Sequence, residues 1–480
     1  MKYNIVLNTL GSLLFYLGLS MIFPLIYAIY YQEQVINAFI LSIIITTLSG
    51  FLLRKFSSSE EPIGPKEGFA ISTLGWIFAA GFGTLPFIFA GTFPSFIDAY
   101  FEAMSGFTTT GATVLTPIEG NPYAILFWRD FIQWLGGMGI IVLVVAILPA
   151  LGAGGMQLFK SEVPGPEPDR LKPRIKETAK LLWGVYIIIS ALQVACLYFT
   201  GMSLFDALTN MFGTMPTGGF TPRNLSVGAY NNPIFETIII LFMFIAGANF
   251  TLHYKALHGN VKSLIKDREF LFYSGVILFS ILAITTQLRL YIYNSIFTAL
   301  RYASFQVVSI ATTTGFVTAD YDIWPAFSKS ILLILMFVGG CAGSTGGAIK
   351  NIRVLLLLKQ AYREIHKLIH PQAVTPIRLG DKTVSEEVMR NITGFFFLYV
   401  FIFVICTFIM SVLGLDIVSA MASVAATLGN VGPGLGLVGP AQTYALIPPL
   451  GKITLILCML LGRLEIYTVL IMVVPEFWKK

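Results

Sequence analysis

Apolar residues in this chain of 480 are gathered into long runs that alternate with short polar segments. Runs of roughly 20 apolar residues are long enough to cross a bilayer as helices. Ten runs of that length predict ten membrane spans, and four further apolar stretches are too short to cross. The predicted spans are 3–30, 34–54, 68–90, 122–150, 178–200, 233–254, 270–288, 327–361, 390–413 and 446–475, and the short stretches are 95–108, 204–214, 295–311 and 416–428.

Each short stretch runs into a segment built around a glycine, at 108–112, 216–220, 312–316 and 429–433. Non-helical backbone is tolerated at membrane depth only where it is buried or lines a water-filled path. A ring of four such segments can point backbone carbonyls at one axis and replace the hydration shell of a monovalent cation, and glycine permits the backbone conformations that this requires. Taken singly, each segment could equally be a turn between helices. The fourfold occurrence predicts a pore.

The order of span, short helix, glycine segment and span occurs four times, which indicates internal duplication. The sequence therefore predicts an all-α polytopic membrane protein. Four repeats with re-entrant pore helices surround one pseudo-four-fold pore, and an N-terminal helical hairpin stands outside the repeats. The predicted units are the hairpin at 1–58 and the repeats at 67–158, 177–258, 269–362 and 389–475, the third with an intramembrane loop at 339–350.

Composition and charge agree with a membrane protein. The mean hydropathy is +0.78 and only 12% of the residues are charged, which excludes both a disordered chain and an ordinary soluble enzyme. Most of the 31 lysines and arginines fall on one side if both termini are cytoplasmic, as the positive-inside rule requires. Because these basic residues are spread over several short loops, the net charge of +6 does not indicate nucleic-acid binding.

The sequence shows no pattern that predicts catalysis or a bound cofactor. The four cysteines lack paired spacing, and the four histidines lie at span edges without Cys or carboxylate partners. The stretch 434–439 matches a dinucleotide fingerprint, but no predicted strand precedes it. The chain is therefore predicted not to be an enzyme and to hold no cofactor of its own.

The hydropathy pattern makes Arg463 the one basic residue inside an otherwise apolar span and places Arg129 at the outer edge of its span. An intramembrane charge is costly and usually faces a cavity or a partner, so Arg463 is a candidate functional residue. The alternative is a local ion pair with Glu465 or a neighbouring residue.

Glycine and serine are concentrated at 339–347, within the eighth predicted span. Each glycine in a helix interior costs about 1 kcal/mol relative to alanine, so the helix is expected to unwind there. A flexible loop under the pore segments and close packing of small residues are both compatible with this composition.

These features together resemble the Trk/Ktr/HKT superfamily of potassium transporters. The N-terminal hairpin, the stretch Gly-Gly-Cys-Ala-Gly-Ser-Thr-Gly-Gly at 339–347 and Gly-Arg-Leu-Glu-Ile-Tyr at 462–467 are similar to the bacterial TrkH/TrkG branch. The resemblance covers nearly the whole chain. It implies potassium uptake across the bacterial cytoplasmic (inner) membrane through a channel-like pore, with rubidium as a surrogate ion.

The resemblance also implies roles for single residues. Potassium would bind at a selectivity filter of backbone carbonyls, and Arg463 would be a positive barrier in the pore below it. The fourth segment departs most from the others, which implies looser selectivity for potassium over sodium. The filter residues would be Thr109, Thr110, Gly111, Thr217, Gly218, Gly219, Thr313, Thr314, Gly315, Asn430, Val431 and Gly432. The gate residues would be Gly339, Gly340, Gly343, Ser344, Thr345, Gly346, Gly347 and Lys350.

The partners that the resemblance implies are a second copy of the chain, in a homodimer, and a TrkA-type cytosolic ring that binds nucleotide. The nucleotide is expected only on that ring. An alternative function is an ion-coupled secondary transporter, in which protons or sodium ions move with potassium. Such a transporter is expected to show two inverted repeats rather than four direct ones.

Overall fold

The computed structural model of the chain describes residues 1–57, 64–146, 171–373, 375–380 and 382–479. The described residues are almost entirely helical. The α-helices of the first half are α1 (Tyr3–Ser20), α2 (Ile22–Tyr30), α3 (Ile36–Phe56), α4 (Pro65–Gly83), α5 (Leu85–Phe89), α6 (Phe96–Phe107), α7 (Tyr123–Ala146), α8 (Leu171–Phe199), α9 (Leu204–Thr214), α10 (Pro233–Ala246) and α11 (Phe250–Leu257).

The second half of the chain continues the same pattern. Its α-helices are α12 (Lys262–Lys266), α13 (Arg268–Tyr291), α14 (Ile296–Ala311), α15 (Ala326–Leu335), α16 (Asn351–Ile369), α17 (Glu386–Val412), α18 (Ile417–Leu428), α19 (Pro449–Arg463), α20 (Tyr467–Leu470) and α21 (Pro475–Trp478). Short 3-10 turns lie at Ser226–Tyr230, Tyr321–Ile323, Gly436–Val438, Tyr444–Leu446 and Ile471–Val473. Strands β1 (Arg378–Leu379) and β2 (Lys382–Thr383) form an antiparallel pair with Arg378 opposite Thr383.

Six helical segments of the described residues are long and apolar enough to cross a membrane, or up to eight if each bent helix pair is one span. Their outward faces are apolar: Phe199 is 84% exposed and Val412 is 86% exposed. Large apolar surfaces of this kind fit a lipid environment and would be unusual in water. The number ten stays a prediction. The last residues of the predicted span 122–150 and of the unit 67–158 lie outside the described residues.

The four short helices α6, α9, α14 and α18 begin and end within one residue of the predicted short stretches. Local capping explains three of their starts. The Ser95 hydroxyl accepts the N–H of Asp98, and the Ser203 hydroxyl accepts the N–H of Asp206, each at 3.1 Å. The carboxylate of Asp416 accepts the N–H groups of Val418 and Ser419. Such caps satisfy donors that a helix start leaves free.

Three of the predicted spans are broken in the structure, and two of them were predicted as continuous helices. The predicted span 233–254 bends by 104° between α10 and α11, where the Asn249 side chain caps the new helix. The span 446–475 bends by 112° between α19 and α20, and Glu465 and Ile466 there have φ of +57° and +55°. The predicted span 327–361 has irregular backbone at 336–350, between α15 and α16. The expected unwinding is confirmed, and it extends beyond the glycine stretch.

The N-terminal hairpin of α1 and α3 packs closely because small residues face each other. A Cβ on Gly50 would lie 2.5 Å from the backbone nitrogen of Phe15, and one on Gly11 would lie 2.8 Å from the Gly50 carbonyl oxygen. Close approach of backbones at glycine is typical of helix pairs in membranes. The hairpin is tied to α7 by Glu33, whose carboxylate accepts the N–H groups of Tyr123 and Ala124.

Candidate functional site

The glycine segments that follow the four short helices share an uncommon backbone. The second residue of each segment is a non-glycine residue in the left-handed region, and two positions later comes a glycine with positive φ. Three of the four non-glycine residues are threonines, and a β-branched residue with positive φ is a genuine outlier. The φ values are +52° for Thr109, +58° for Thr217, +61° for Thr313 and +53° for Asn430, and +79°, +78°, +81° and +98° for Gly111, Gly219, Gly315 and Gly432.

The N–H groups of each segment turn back to the last turn of its own short helix. In the first segment, Thr109 donates to Gly106 and Thr110 donates to Ser105, at 2.9 and 2.8 Å. In the third segment, Thr314 and Gly315 both donate to Ser309. This is the usual way in which a left-handed residue closes a helix end. Because the backbone N–H groups are bonded to the end of the short helix, the carbonyl groups of the segment point away from that helix.

Most of the predicted filter carbonyls have no hydrogen-bond donor among the residues that the structure describes. The two exceptions are Gly218, whose oxygen accepts from Gln133 at 2.7 Å, and Gly432, whose oxygen accepts from the Tyr444 hydroxyl at 2.7 Å. A buried carbonyl without a donor is uncommon in proteins. The segments therefore present oxygen ligands that only a bound ion or water can satisfy.

The four segments close into a ring in sequence order. Each glycine touches the central carbonyl of the next segment, and the glycine of the fourth touches the first. A Cβ at any of these positions would overlap that oxygen, so glycine is required by contact as well as by φ. The distance between such a Cβ and the oxygen would be 2.1 Å from Gly111 to Gly218, 2.0 Å from Gly219 to Thr314, 2.0 Å from Gly315 to Val431 and 2.6 Å from Gly432 to Thr110.

Side chains fasten the segments differently. In the first and third segments the central threonine hydroxyl meets the threonine two positions earlier, Thr110 with Thr108 at 2.8 Å and Thr314 with Thr312 at 2.7 Å. In the fourth segment the Asn430 amide donates to the Thr110 hydroxyl and to the Met459 carbonyl, both at 3.0 Å. The Asn430 side chain thus joins the fourth segment to the first.

The irregular stretch 336–350 lies against the starts of three of the segments. The Thr345 hydroxyl donates to the carbonyl of Met215 at 2.9 Å, and the Gly347 N–H donates to the Thr313 hydroxyl at 2.7 Å. A Cβ on Gly347 would lie 2.4 Å from the Gly429 oxygen. The glycine-rich stretch therefore packs across one end of the ring, and small-residue packing is part of its role.

Hydrogen bonds from the backbone and from the Lys350 and Glu269 side chains hold this stretch in place. The N–H of Cys341 donates to Gly247 at 2.8 Å, and Lys350 donates to the Gly346 carbonyl. The buried carboxylate of Glu269 accepts the N–H groups of Ala342 at 2.7 Å and Ile352 at 3.0 Å. Sequence reasoning had no signal for Glu269, because its two partners lie far along the chain.

Arg463 is buried, with 2% of its surface exposed, and lies beside the irregular stretch. Its Nη1 donates to the Thr345 carbonyl at 2.7 Å, and its Nη2 is 3.5 Å from the Gly136 carbonyl. The alternative ion pair with Glu465 is wrong, since Glu465 pairs with Arg353. Among the described residues Arg463 has no carboxylate partner, so its charge is balanced only by carbonyl dipoles.

Arg129 corrects the expectation that Arg463 is the one basic residue inside a span. Hydropathy places Arg129 at the outer edge of its span, yet only 1% of it is exposed. Its guanidinium donates to Glu102 at 2.6 Å and to the Thr221 carbonyl at 3.1 Å, and lies 3.7 Å from the centre of the Phe220 ring. Sequence reasoning missed this pair, although the acid within a buried short helix was a signal.

The chemistry open to this site is binding of a weakly hydrated cation. The described residues contain no group of three or more His, Cys, Asp or Glu side chains that could hold a metal ion. The ring offers neutral carbonyl oxygens, whereas divalent cations in proteins usually require carboxylates. Rings of carbonyls suit monovalent ions that shed their hydration shell.

Known proteins resemble this chain over its full length. A family model named TrkH, described as a cation transport protein, matches residues 31–480. The chain is 43% identical to the Trk system potassium uptake protein TrkH of Salmonella typhimurium, with 100% of both chains covered. It is 35% identical to the Trk system potassium uptake protein TrkG of Escherichia coli K12, with 99% of both covered. The crystal structure of the potassium transporter TrkH from Vibrio parahaemolyticus matches with a TM-score of 0.92 at 38% identity, covering 100% of both chains.

Proposed function

The chain belongs to the TrkH family of cation transport proteins, and from that premise we propose that it carries potassium across a bilayer through the ring of glycine segments. It is a helical polytopic membrane protein and a transport protein rather than an enzyme. The relatives named above are potassium uptake proteins, which supports potassium as the ion.

The observation that supports this proposal most strongly is the closed ring of four segments, most of whose carbonyls have no hydrogen-bond donor among the described residues. In the proposal the filter carbonyls are those of 109–111, 217–219, 313–315 and 430–432. Potassium would exchange its hydration shell for these oxygens. Because the fourth segment carries Asn430 and Val431 where the first has threonines, selectivity over sodium should be looser than in a ring of identical segments.

The proposed architecture has ten spans and four pore repeats, at 67–158, 177–258, 269–362 and 389–475, after the hairpin at 1–58. In this arrangement α6, α9, α14 and α18 are the re-entrant pore helices. Their close agreement with the short apolar stretches supports it. The protein would lie in the cytoplasmic membrane of a bacterium with both termini inside, which the distribution of Lys and Arg supports.

The proposed gate is the loop 339–350, with Lys350 at its end and Arg463 beside it. In the closed state the loop blocks the cytoplasmic end of the filter, and the positive charge of Arg463 opposes cation passage. A cytosolic nucleotide-binding ring would move α16, which begins directly after the loop, and so draw the loop aside. The transporting unit would be a homodimer, with nucleotide bound only to the ring.

The test is ion flux into liposomes that contain the purified protein. Rubidium or potassium uptake should follow its own gradient, should continue without a proton or sodium gradient, and should exceed sodium uptake. Uptake that requires a proton or sodium gradient would instead favour a coupled transporter. Absence of uptake in protein that is folded, both alone and with the cytosolic ring plus ATP, ADP or NAD, would contradict the proposal.

A further inference from the structure

Gln133 is a fully buried glutamine of α7 that contacts the second glycine segment from behind. Its Nε2 donates to the Gly218 carbonyl at 2.7 Å, and its Oε1 accepts the N–H of Phe220 at 3.0 Å. Both ends of the amide are therefore satisfied by one segment. The side chain bonds to the segment as a neighbouring backbone strand would.

The second segment needs these hydrogen bonds from Gln133 because its central residue, Gly218, has no side chain. Thr110 and Thr314, at the centres of the first and third segments, are fastened through their hydroxyls, and the Val431 side chain at the centre of the fourth is fully buried. Gly218 followed by Gly219 has the greatest backbone freedom of any dipeptide. Without an external contact, the second segment would be the least ordered of the four.

The other three repeats carry methionine where α7 carries Gln133. Counted from the starts of α10, α15 and α19, the same place holds Met243, Met336 and Met459, and all three are fully buried. The packing supports this register.

The same register holds one helical turn further on, at Gly136 of α7 and Gly462 of α19. A Cβ on Gly136 would lie 2.1 Å from the Phe107 oxygen, and one on Gly462 would lie 2.0 Å from the Leu428 oxygen. Phe107 and Leu428 occupy the same place relative to the glycines of their segments.

We propose that Gln133 is a positioning residue for ion selectivity, which orders the second filter segment by holding the Gly218 carbonyl and the Phe220 N–H. This inference rests on the proposed function of the ring. Gln133 and Gly218 stand at the positions where the other repeats carry a methionine and, at the centre of the segment, a residue with a side chain.

Space explains why the two residues are matched. A Cβ on Gly218 would lie 2.5 Å from the Cδ of Gln133, so glutamine and a larger central residue exclude each other. The backbone of Gly218 lies outside the left-handed region, unlike that of Gly219. Threonine is therefore allowed at 218 by conformation and is opposed only by the Gln133 side chain.

The experiment compares four proteins with the wild type in liposomes: Gln133→Met, Gly218→Thr, the double variant and Gln193→Met. Gln193 is the matched control, because it is a fully buried glutamine of α8 that donates to the Thr214 hydroxyl and contacts no filter carbonyl. The readouts are the ratio of rubidium to sodium flux and the melting temperature of each protein.

Gln133→Met should lower the flux ratio by roughly fivefold, the factor that one ordinary hydrogen bond contributes to an equilibrium. Gly218→Thr should also lower it, because the new side chain meets Gln133. The double variant should recover most of the loss, since it recreates the arrangement of the other repeats. Gln193→Met should leave the ratio unchanged, even if its melting temperature falls.

An unchanged ratio in Gln133→Met would overturn the inference, as would a double variant no better than the worse single variant. If Gln133→Met does not fold, the double variant alone tests the inference. The inference then requires that the double variant folds and prefers rubidium to sodium. A wild type without selective uptake overturns the proposed function itself. If the wild type is selective and Gln133→Met has the same flux ratio, only the role of Gln133 is overturned.

Discussion

At the scale of single residues, the four left-handed residues Thr109, Thr217, Thr313 and Asn430 are the most informative feature of the ring. Residues held in such a conformation cost roughly 1–3 kcal/mol each. The hydrogen bonds from each segment to the end of its short helix oppose that cost. The same strained conformation occurs at four equivalent places of one ring. This indicates that the fold keeps the strain because it orients the carbonyl groups.

Replacing Gly111 with serine should lower the preference for potassium over sodium. The new Cβ would lie 2.1 Å from the Gly218 oxygen, and φ at this position is +79°, so two neighbouring segments must shift. The measurement is relative rubidium and sodium flux in liposomes. Gly91→Ser is the control, since Gly91 has φ of +66° with nothing within 4 Å. If Gly111→Ser keeps the wild-type ratio, Gly111 is not a filter residue.

Arg463→Ala should raise cation flux, because it removes an unpaired positive charge beside the proposed pore. Arg463→Lys keeps the charge and should keep flux low. If Arg463 instead serves only to hold the Thr345 carbonyl, at 2.7 Å, alanine should lower the melting temperature and leave the flux per folded molecule unchanged. Flux and thermal unfolding measured on the same three proteins separate the two outcomes.

At the scale of elements, the stretch 336–350 interrupts the eighth predicted span with irregular backbone. It lies between two helices, α15 and α16. Its two ends are hydrogen-bonded to each other at Gly339 and Ile349, and Gly247 and Glu269 hold it from outside. Its own glycines allow several backbone conformations. An element whose order depends on its surroundings can change when those surroundings move, as hinges and gates do.

Shortening the loop between Gly340 and Gly346 should give a pore that conducts without the cytosolic partner or nucleotide. The shortened loop can no longer reach both Met215 and Thr313 at the end of the ring. Glu269→Gln keeps the loop length but weakens the hydrogen bonds that hold the loop. It should therefore also raise flux without the partner, but by less. The exposed Glu387→Gln is the control. A folded, shortened protein that still requires partner and nucleotide would mean that the loop only packs.

At the scale of the whole molecule, charge is distributed in two ways. Some charges inside the protein are paired between distant elements, as in the buried pair Arg129 with Glu102 and the partly buried pair Lys452 with Asp98. Breaking a buried pair typically costs about 3–5 kcal/mol, so these pairs fix how neighbouring helices pack. Most of the lysines and arginines fall on the predicted cytoplasmic side, as the positive-inside rule requires.

The orientation can be tested by cysteine labelling at two exposed leucines on opposite sides. Leu368 is 83% exposed at the end of α16, and Leu225 is 68% exposed beyond the second glycine segment. In intact cells a membrane-impermeant maleimide should label Leu225→Cys and spare Leu368→Cys, and inverted vesicles should reverse the pattern. Wild-type protein measures the background from its four cysteines. The opposite labelling would mean that both termini face outward.

The helical class, the four short helices and the unwinding at 339–347 could be predicted from the amino-acid sequence, because these features depend on local properties. Run length, capping residues and glycine density act within a few residues of one another. The bends after α10 and α19 were missed because a long, mostly apolar run tolerates the few polar residues at each break, such as Asn249 and Glu465. A hydropathy pattern records which residues avoid water and carries no information on where a helix bends inside the membrane.

Contacts between distant residues emerged only from the folded chain. Folding brings the four segments into contact in ring order, gives Arg463 the Thr345 carbonyl instead of Glu465, and buries Arg129 against Glu102. It also distinguishes Gln133 and Glu269, whose partners lie far away in sequence. A buried polar group must find a partner somewhere in the fold. A single sequence does not show which of the many distant carbonyls, amides or carboxylates is that partner.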